Sequence, residues 1–359
     1  MSEIKQGYKQ TKVGIIPEDW EVVKLGKIAP LQRGYDLPTD SVQEGIYPVV
    51  YSNGILRFHN EYKAKAPGIV TGRSGTIGRV TYVEDNYWPH NTSLWVTNFY
   101  DNNPKFVYYM YINLDLTKFS AGSGVPTLNR NDVHIQDISL PPLKEQEKIA
   151  EILTTWDKSI TKQTELLRAK ELLKIALMQK LLSGEVRFDG FSDKWKEVRI
   201  DKLFDFKKGQ ELSKEKLEKN GIFECILYGE LYTTYSEVIS EIKSKTNIKE
   251  GIKSKIDDIL IPASTTTSAI DLAIASTIQK DNVLIGGDIN ILRKKTNNIN
   301  GEFISKYLTH IKKMEIAKYA QGITIIHLYS KDFKHLKIQL PSLPEQQKIA
   351  EVLSLADDE

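Results

Sequence analysis

The stretch PPLKEQEKIAEIL at residues 141–153 returns as PSLPEQQKIAEVL at residues 341–353, with nine of thirteen positions identical. A repeat of that quality is read before any local pattern, because it fixes the number of structural units. Carried backwards, the offset of 200 pairs Gly122 with Gly322, Leu128 with Leu328, Asp132 with Asp332, Ile138 with Ile338 and Leu140 with Leu340. Nearer the start of each copy the offset falls to 175, pairing Trp20 with Trp195, Val23 with Val198, Gly34 with Gly209 and Leu37 with Leu212. The second copy therefore holds 25 extra residues, expected around 215–255, where Lys, Glu, Ser and Asn dominate. Similar ends around dissimilar middles predict one scaffold presenting two different surfaces.

Between the copies, residues 144–182 contain neither proline nor glycine and are rich in Leu, Ile, Lys, Glu and Gln, which predicts a single long helix. Pro141 and Pro142 precede it and Ser183-Gly184 closes it, the start and stop signals of a helix. Alternating steps of four and three from Ile149 reach Leu153, Trp156, Ile160, Leu167, Leu177 and Leu181, a heptad stripe broken by polar residues. These seven residues are the expected packing face for a partner helix, since a lone helix would leave the stripe in water. Within each copy, runs such as YPVVYSNGILRF (47–58) and GIVTGRSGTIGRVTYV (68–83) read as strands about turns. PKFVYYMYINLDL (104–116) and GEFISKYLTHIKK (301–313) read as helices at equivalent places.

The chain of 359 residues is 40% hydrophobic and 27% charged, as ordinary globular proteins are, and contains no apolar run long enough to span a bilayer. Its first residues lack the apolar core of a secretory signal, so a cytoplasmic location is expected. Cys225 is alone, which excludes an internal disulfide and any cysteine-based zinc cage. With 49 basic against 47 acidic residues, the net charge of +2 leaves the partner open, and any nucleic-acid footprint must come from local clustering.

No catalytic signature is present: there is no phosphate-cradling GK[ST] loop and no HExxH pair, and the six histidines are dispersed. The segment Gly72-Arg73-Ser74-Gly75-Thr76-Ile77-Gly78-Arg79 has a different character. Its glycines admit close approach, its arginines can grip phosphate or guanine through two hydrogen bonds, and its hydroxyls add further donors. A tight hairpin with solvated arginines explains the same residues. The counterpart, residues 262–268, has no arginine but five consecutive hydroxyls, Ser264 to Ser268. Polar clusters recur at 89–92 against 287–290 and at 120–124 against 320–324, as base-reading loops in two copies would require.

The order of these features is an entry strand around Trp20, the GRSGTIG loop, the GSG segment, then LPPLKEQEKIAEIL leading into a helix that closes with LMQKLLSGEVRF, and most of that order recurs. It resembles the specificity (S) subunit of type I restriction-modification systems over essentially the whole chain. The resemblance implies an α/β (α+β) fold with two mostly β target recognition domains in tandem repeat, joined by a long central coiled-coil-type helix. The expected domains are residues 1–143 and 185–343, with the spacer helix at 144–184 and the start of a truncated second spacer helix at 344–359. The implied function is sequence-specific recognition of double-stranded DNA at a bipartite asymmetric site, which directs DNA methylation and host defence by partner subunits. The implied partners are two methyltransferase (modification) subunits and restriction subunits, together with a second specificity chain as a source of the missing helix. No cofactor, metal or catalytic residue is expected on this chain, because S-adenosylmethionine, ATP and Mg belong to the partners. The competing reading is a coiled-coil interaction scaffold whose globular halves bind protein. Expected DNA-facing residues in the first copy are Arg33, Arg73, Ser74, Thr76, Arg79, Asn91, Ser123 and Arg130. In the second they are Lys208, Gln210, Ser264, Thr265, Thr266, Thr267, Asp288, Asn290, Gln321 and Thr324.

Overall fold

The computed structural model describes residues 4–121, 124–210 and 212–358. The chain divides into two compact units, Met1–Glu165 and Leu166–Glu359. In the first unit, strands β1 (Leu31–Arg33), β2 (Gly68–Gly72), β3 (Val80–Val83) and β4 (Ser93–Val96) form an antiparallel sheet in the order β1-β4-β2-β3. In the second, β5 (Phe204–Lys208), β6 (Val238–Ile239), β7 (Asp258–Pro262), β8 (Ser276–Ile278) and β9 (Ile289–Lys294) form a sheet in the order β5-β9-β7-β8-β6. The first four of these strands follow the order of the first unit's sheet, and β6 is a parallel addition at the edge.

The strand registers align the copies residue by residue. Leu94 stands opposite Arg33 and Thr71, while Asn290 stands opposite Lys208 and Ile261. The offset between copies thus climbs from 175 at Arg33 and Lys208 to 190 at Thr71 and Ile261, then to 196 at Leu94 and Asn290. The extra chain is therefore not one insertion at 215–255. It is shared among several connections, because loops tolerate added length where hydrogen-bonded strands do not.

Each unit covers its sheet with a helix, α1 (Pro104–Asn113) and α3 (Gly301–His310) respectively. Both begin at an asparagine cap, Asn103 accepting from the Phe106 N–H at 3.0 Å and Asn300 from the Phe303 N–H at 2.8 Å. The long central helix is α2 (Leu143–Ser183), and a last helix, α4 (Leu343–Asp358), opens on the second boundary motif.

Three residues of that motif have structural work in both units. The buried Gln146 amide accepts from the Asn103 N–H and donates to the Asn102 side chain and the Pro141 carbonyl, each at 3.0 Å. Gln346 repeats this with the Asn300 N–H at 2.9 Å, the Pro341 carbonyl at 2.9 Å and the Asn298 carbonyl at 3.2 Å. Emptying such a position would leave buried donors and acceptors unpaired, at a cost of about 1–3 kcal/mol. The preceding glutamate receives a tryptophan indole N–H in each unit, Trp20 on Glu145 at 2.8 Å and Trp195 on Glu345 at 3.2 Å.

The apolar stripe of α2 has three different fates. Trp156, Ile160 and Leu167 are 65%, 58% and 61% exposed, and Leu153 is 37% exposed. Ile149 is half-buried against the first unit's core. Leu177 and Leu181 were expected on the same partner-facing stripe, and here the structure differs: they pack into the second unit's own core beside Leu182, Ile349 and Leu353. A heptad pattern specifies a covered face but not what covers it. Among the described residues no helix is long and apolar enough to cross a membrane.

In the second unit, Glu237 is tied to the end of α3 by His310, whose Nε2 lies 2.9 Å away. That hydrogen bond holds its carboxyl down to about 2. A carboxylate depressed in the fold stabilises above its unfolded value and loses that contribution as pH falls through the folded value. Between about pH 4.3 and pH 2 the urea midpoint is expected to fall more steeply in the wild type than in Glu237→Gln, measured by circular dichroism.

Candidate nucleic-acid interface

In both units the strand corresponding to β2 or β7 ends at one three-way main-chain joint. In the first unit the Arg73 N–H donates to the Thr92 carbonyl at 2.9 Å, and the Arg73 carbonyl accepts from the Leu128 N–H at 2.8 Å. In the second unit the Ala263 N–H donates to the Asp288 carbonyl at 2.7 Å, and its carbonyl accepts from the Leu328 N–H at 2.9 Å. The next residues pair alike, Ser74 with Thr127 and Ser264 with His327. Gly34 and Gly209 pack closely against residues 89–90 and 285–286 respectively. A Cβ on either would lie within 2.3 Å of a carbonyl oxygen, of His90 and Gly286 respectively, so only glycine fits.

Around this shared backbone the side chains differ. Arg33, Arg73 and Arg130 of the first unit line a cavity of about 450 Å³ together with Leu94, Thr127, Leu128 and Asn129. Among the described residues no carboxylate lines it. Arg33 is steadied by Asp36 at 3.1 Å, and Asp36 also accepts from the Asn91 amide. The Arg73 guanidinium touches the Asn91 carbonyl at 3.4 Å, so Asn91 links the two arginines rather than standing free. Beyond the cavity, Thr76 and Arg79 are exposed on the loop between β2 and β3. Ser74 is half-buried on the same loop. Ser123 lies outside the described residues.

At the same backbone positions the second unit has Lys208, Ala263 and Ser330 in place of the three arginines. None of these three lines the neighbouring cavity of about 690 Å³, which is bounded among others by Tyr228, Tyr232, Thr266, Asp271, Lys313 and His327. Lys208 pairs with Asp288 at 3.3 Å. The Tyr232 hydroxyl donates to the Ser264 carbonyl at 2.7 Å, and burial pushes its pKa up. The hydroxyls of Thr267 and Ser268 donate to Asp271 at 2.6 and 2.7 Å and hold that carboxyl below the usual range. Both Thr266 and Thr267 are exposed, but the Thr267 hydroxyl is engaged within the loop by Asp271. Gln210 is exposed next to Gly286, and Gln321 and Thr324 are exposed on the turn that precedes His327.

Three expectations are corrected by burial. Asn290 is 3% exposed: its amide donates to the Leu328 carbonyl at 2.9 Å and accepts from the Ser330 N–H at 3.2 Å. It is an internal brace, not a reader. Ser264 and Thr265 sit in a short strand paired with Ile326–His327 and are also buried. Sequence reading also missed Thr127, Asn129, Tyr232 and His327. The pairing of Thr127 with His327 and of Asn129 with Tyr329 at the offset of 200 was the signal that could have found them.

The two units thus define a class: one frame repeated, with two unlike polar surfaces on it. Residues 17–169 and again 192–359 match the type I restriction modification DNA specificity domain, and the chain belongs to that family. Its function is sequence-specific DNA recognition in a type I restriction-modification system. Similar proteins include a putative type I restriction enzyme MjaX specificity subunit of Methanocaldococcus jannaschii, 24% identical over 99% of this chain and 90% of the relative. The MjaVIII specificity subunit of the same organism is 22% identical, again over 99% of this chain and 90% of the relative. The crystal structure of a type I S subunit from M. genitalium shares the fold, with a TM-score of 0.59 at 17% identity over 94% of this chain and 89% of that one.

Asn290→Ala is expected to destabilise the second unit by about 2 kcal/mol in urea unfolding, since two buried backbone groups lose their partner. Thr266→Ala, on an exposed hydroxyl of the same cavity, is expected to leave the midpoint unchanged.

Proposed function

We propose that each unit reads one half of a bipartite, asymmetric DNA site, and that the chain is the non-catalytic specificity subunit of a cytoplasmic complex. Modification subunits that bind S-adenosylmethionine, and restriction subunits that use ATP and Mg, would carry out the reactions. The exposed part of the α2 stripe is a surface available to such partners. The observation that supports this most is the shared joint with exchanged side chains. Both units would meet the same sugar-phosphate backbone, so contacts to phosphate need not differ between copies. Contacts to base edges must differ if the half-sites differ. Arg33 against Lys208, Arg73 against Ala263 and Arg130 against Ser330 are differences of the second kind. Arginine facing the O6 and N7 acceptors of guanine is the commonest specific contact in the major groove, and among the described residues a carboxylate, Asp36, engages only Arg33 of the three.

The test is Arg73→Ala in the assembled complex. Mapping methylated adenines should reveal relaxation at one base of the first half-site with the second unchanged, and cognate affinity should fall by about 1–3 kcal/mol. Uniform weakening on every sequence, with a shallower salt dependence, would instead make Arg73 a phosphate contact.

A further inference from the structure

Around its joint the second unit turns most of its polar groups on itself. The three arginines of residues 185–359 are each tied to a carboxylate, Arg187 to Glu345, Arg199 to Asp201 and Arg293 to Asp258. Lys208 pairs with Asp288, the hydroxyls of Thr267 and Ser268 hold Asp271, and the Tyr232 hydroxyl is bound to the Ser264 carbonyl. No guanidinium of this unit is therefore free to grip a guanine as those of the first unit are.

What the joint presents outward instead is a short turn. Gln321 and His327 exchange both main-chain hydrogen bonds, at 2.8 and 2.7 Å, and so close residues 322–326 between them. The returning limb, Ile326–His327, pairs with Ser264–Thr265 and runs into Leu328, a member of the joint. Gly322 has a φ of 134°, and a Cβ there would lie 2.0 Å from the Ile325 carbonyl oxygen, so the turn requires glycine. Ile323 is 99% exposed, which means that its side chain packs against nothing in its own unit. Ile325 borders the cavity and is half exposed, and Gln321 and Thr324 are exposed beside them. At the offset of 200 the first unit has Ala121 for Gln321, Ser123 for Ile323 and Gly124 for Thr324. The contrast runs opposite to that of the cavities. The first unit has arginines in its cavity and small residues in this segment, while the second has no free arginine and a turn that carries an amide and branched apolar side chains.

These side chains suit one class of base pair. In the major groove a glutamine amide bonds adenine at N6 and N7 together, and an apolar side chain meets the 5-methyl group of thymine, which no G·C pair carries. We propose that residues 321–325 read A·T pairs of the second half-site, Gln321 through an adenine edge and Ile323 through a thymine methyl. This rests on the assignment of one half-site to each unit and adds the class of base pair and the residues that select it.

The test uses the assembled complex with its modification subunits and duplexes carrying the bipartite site found by mapping methylated adenines. Uracil in place of every thymine of one half-site removes only the 5-methyl groups, and 7-deazaadenine in place of adenine removes only the N7 acceptor. Binding is followed by fluorescence anisotropy for the wild type, Ile323→Ala and Gln321→Ala, whose urea midpoints should be unchanged because both side chains are exposed. Of the wild-type loss on uracil, about fourfold should vanish in Ile323→Ala, the worth of one buried methyl group. Of the loss on 7-deazaadenine, roughly tenfold should vanish in Gln321→Ala. Both effects are expected in the same half-site, with the other half-site responding alike in wild type and variants. Losses equal in wild type and both variants, or the two effects falling in different half-sites, would overturn the proposal while leaving the bipartite reading intact. Failure to find any bipartite methylated site would contradict that reading itself, and the proposal with it.

Discussion

Everything distinctive about each unit depends on a pair of main-chain hydrogen bonds. The residue after β2 or β7, Arg73 or Ala263, donates to one loop and accepts from another, which draws three separate segments to a single point. Backbone groups make this joint, so it does not depend on the side chains attached to it. That indifference lets an arginine-lined cavity and a hydroxyl- and tyrosine-lined cavity stand on the same frame. Specificity can then change by substitution at a few positions without disturbing the strands beneath.

The residues that are identical between the copies have the opposite role. Gln146 and Gln346, Glu145 and Glu345, Trp20 and Trp195, and the caps Asn103 and Asn300 all face inward and bind parts of their unit to one another. Buried polar groups of this kind must be satisfied at every site, so a change at one would leave its partners unpaired. Identity marks what holds the frame, and difference marks what the frame presents.

The repeat and the long helix were legible from sequence because glycine, proline and apolar spacing report directly on backbone and burial. The boundary motif was recognisable, but its chemistry was not, since nothing in the letters Glu-Gln says that the amide reaches an asparagine 43 residues away. Asn290 was misread for a related reason. A polar residue beside a glycine-rich turn looks the same whether it faces solvent or braces two loops, and only the register opposite Lys208 places it inside. Leu177 and Leu181 continue the stripe of Trp156 and Ile160, and no periodicity could separate leucines covered by their own unit from those left exposed.

The central claim is that the units are interchangeable frames whose surface residues alone set what is read. The most direct measurement replaces residues 200–336 with residues 25–136 and maps methylated adenines across a genome in cells that also express the partner subunits. The account predicts a methylated motif made of two identical half-sites, both of the first unit's sequence. An unchanged asymmetric motif, or a new half-site unrelated to the first, would contradict it.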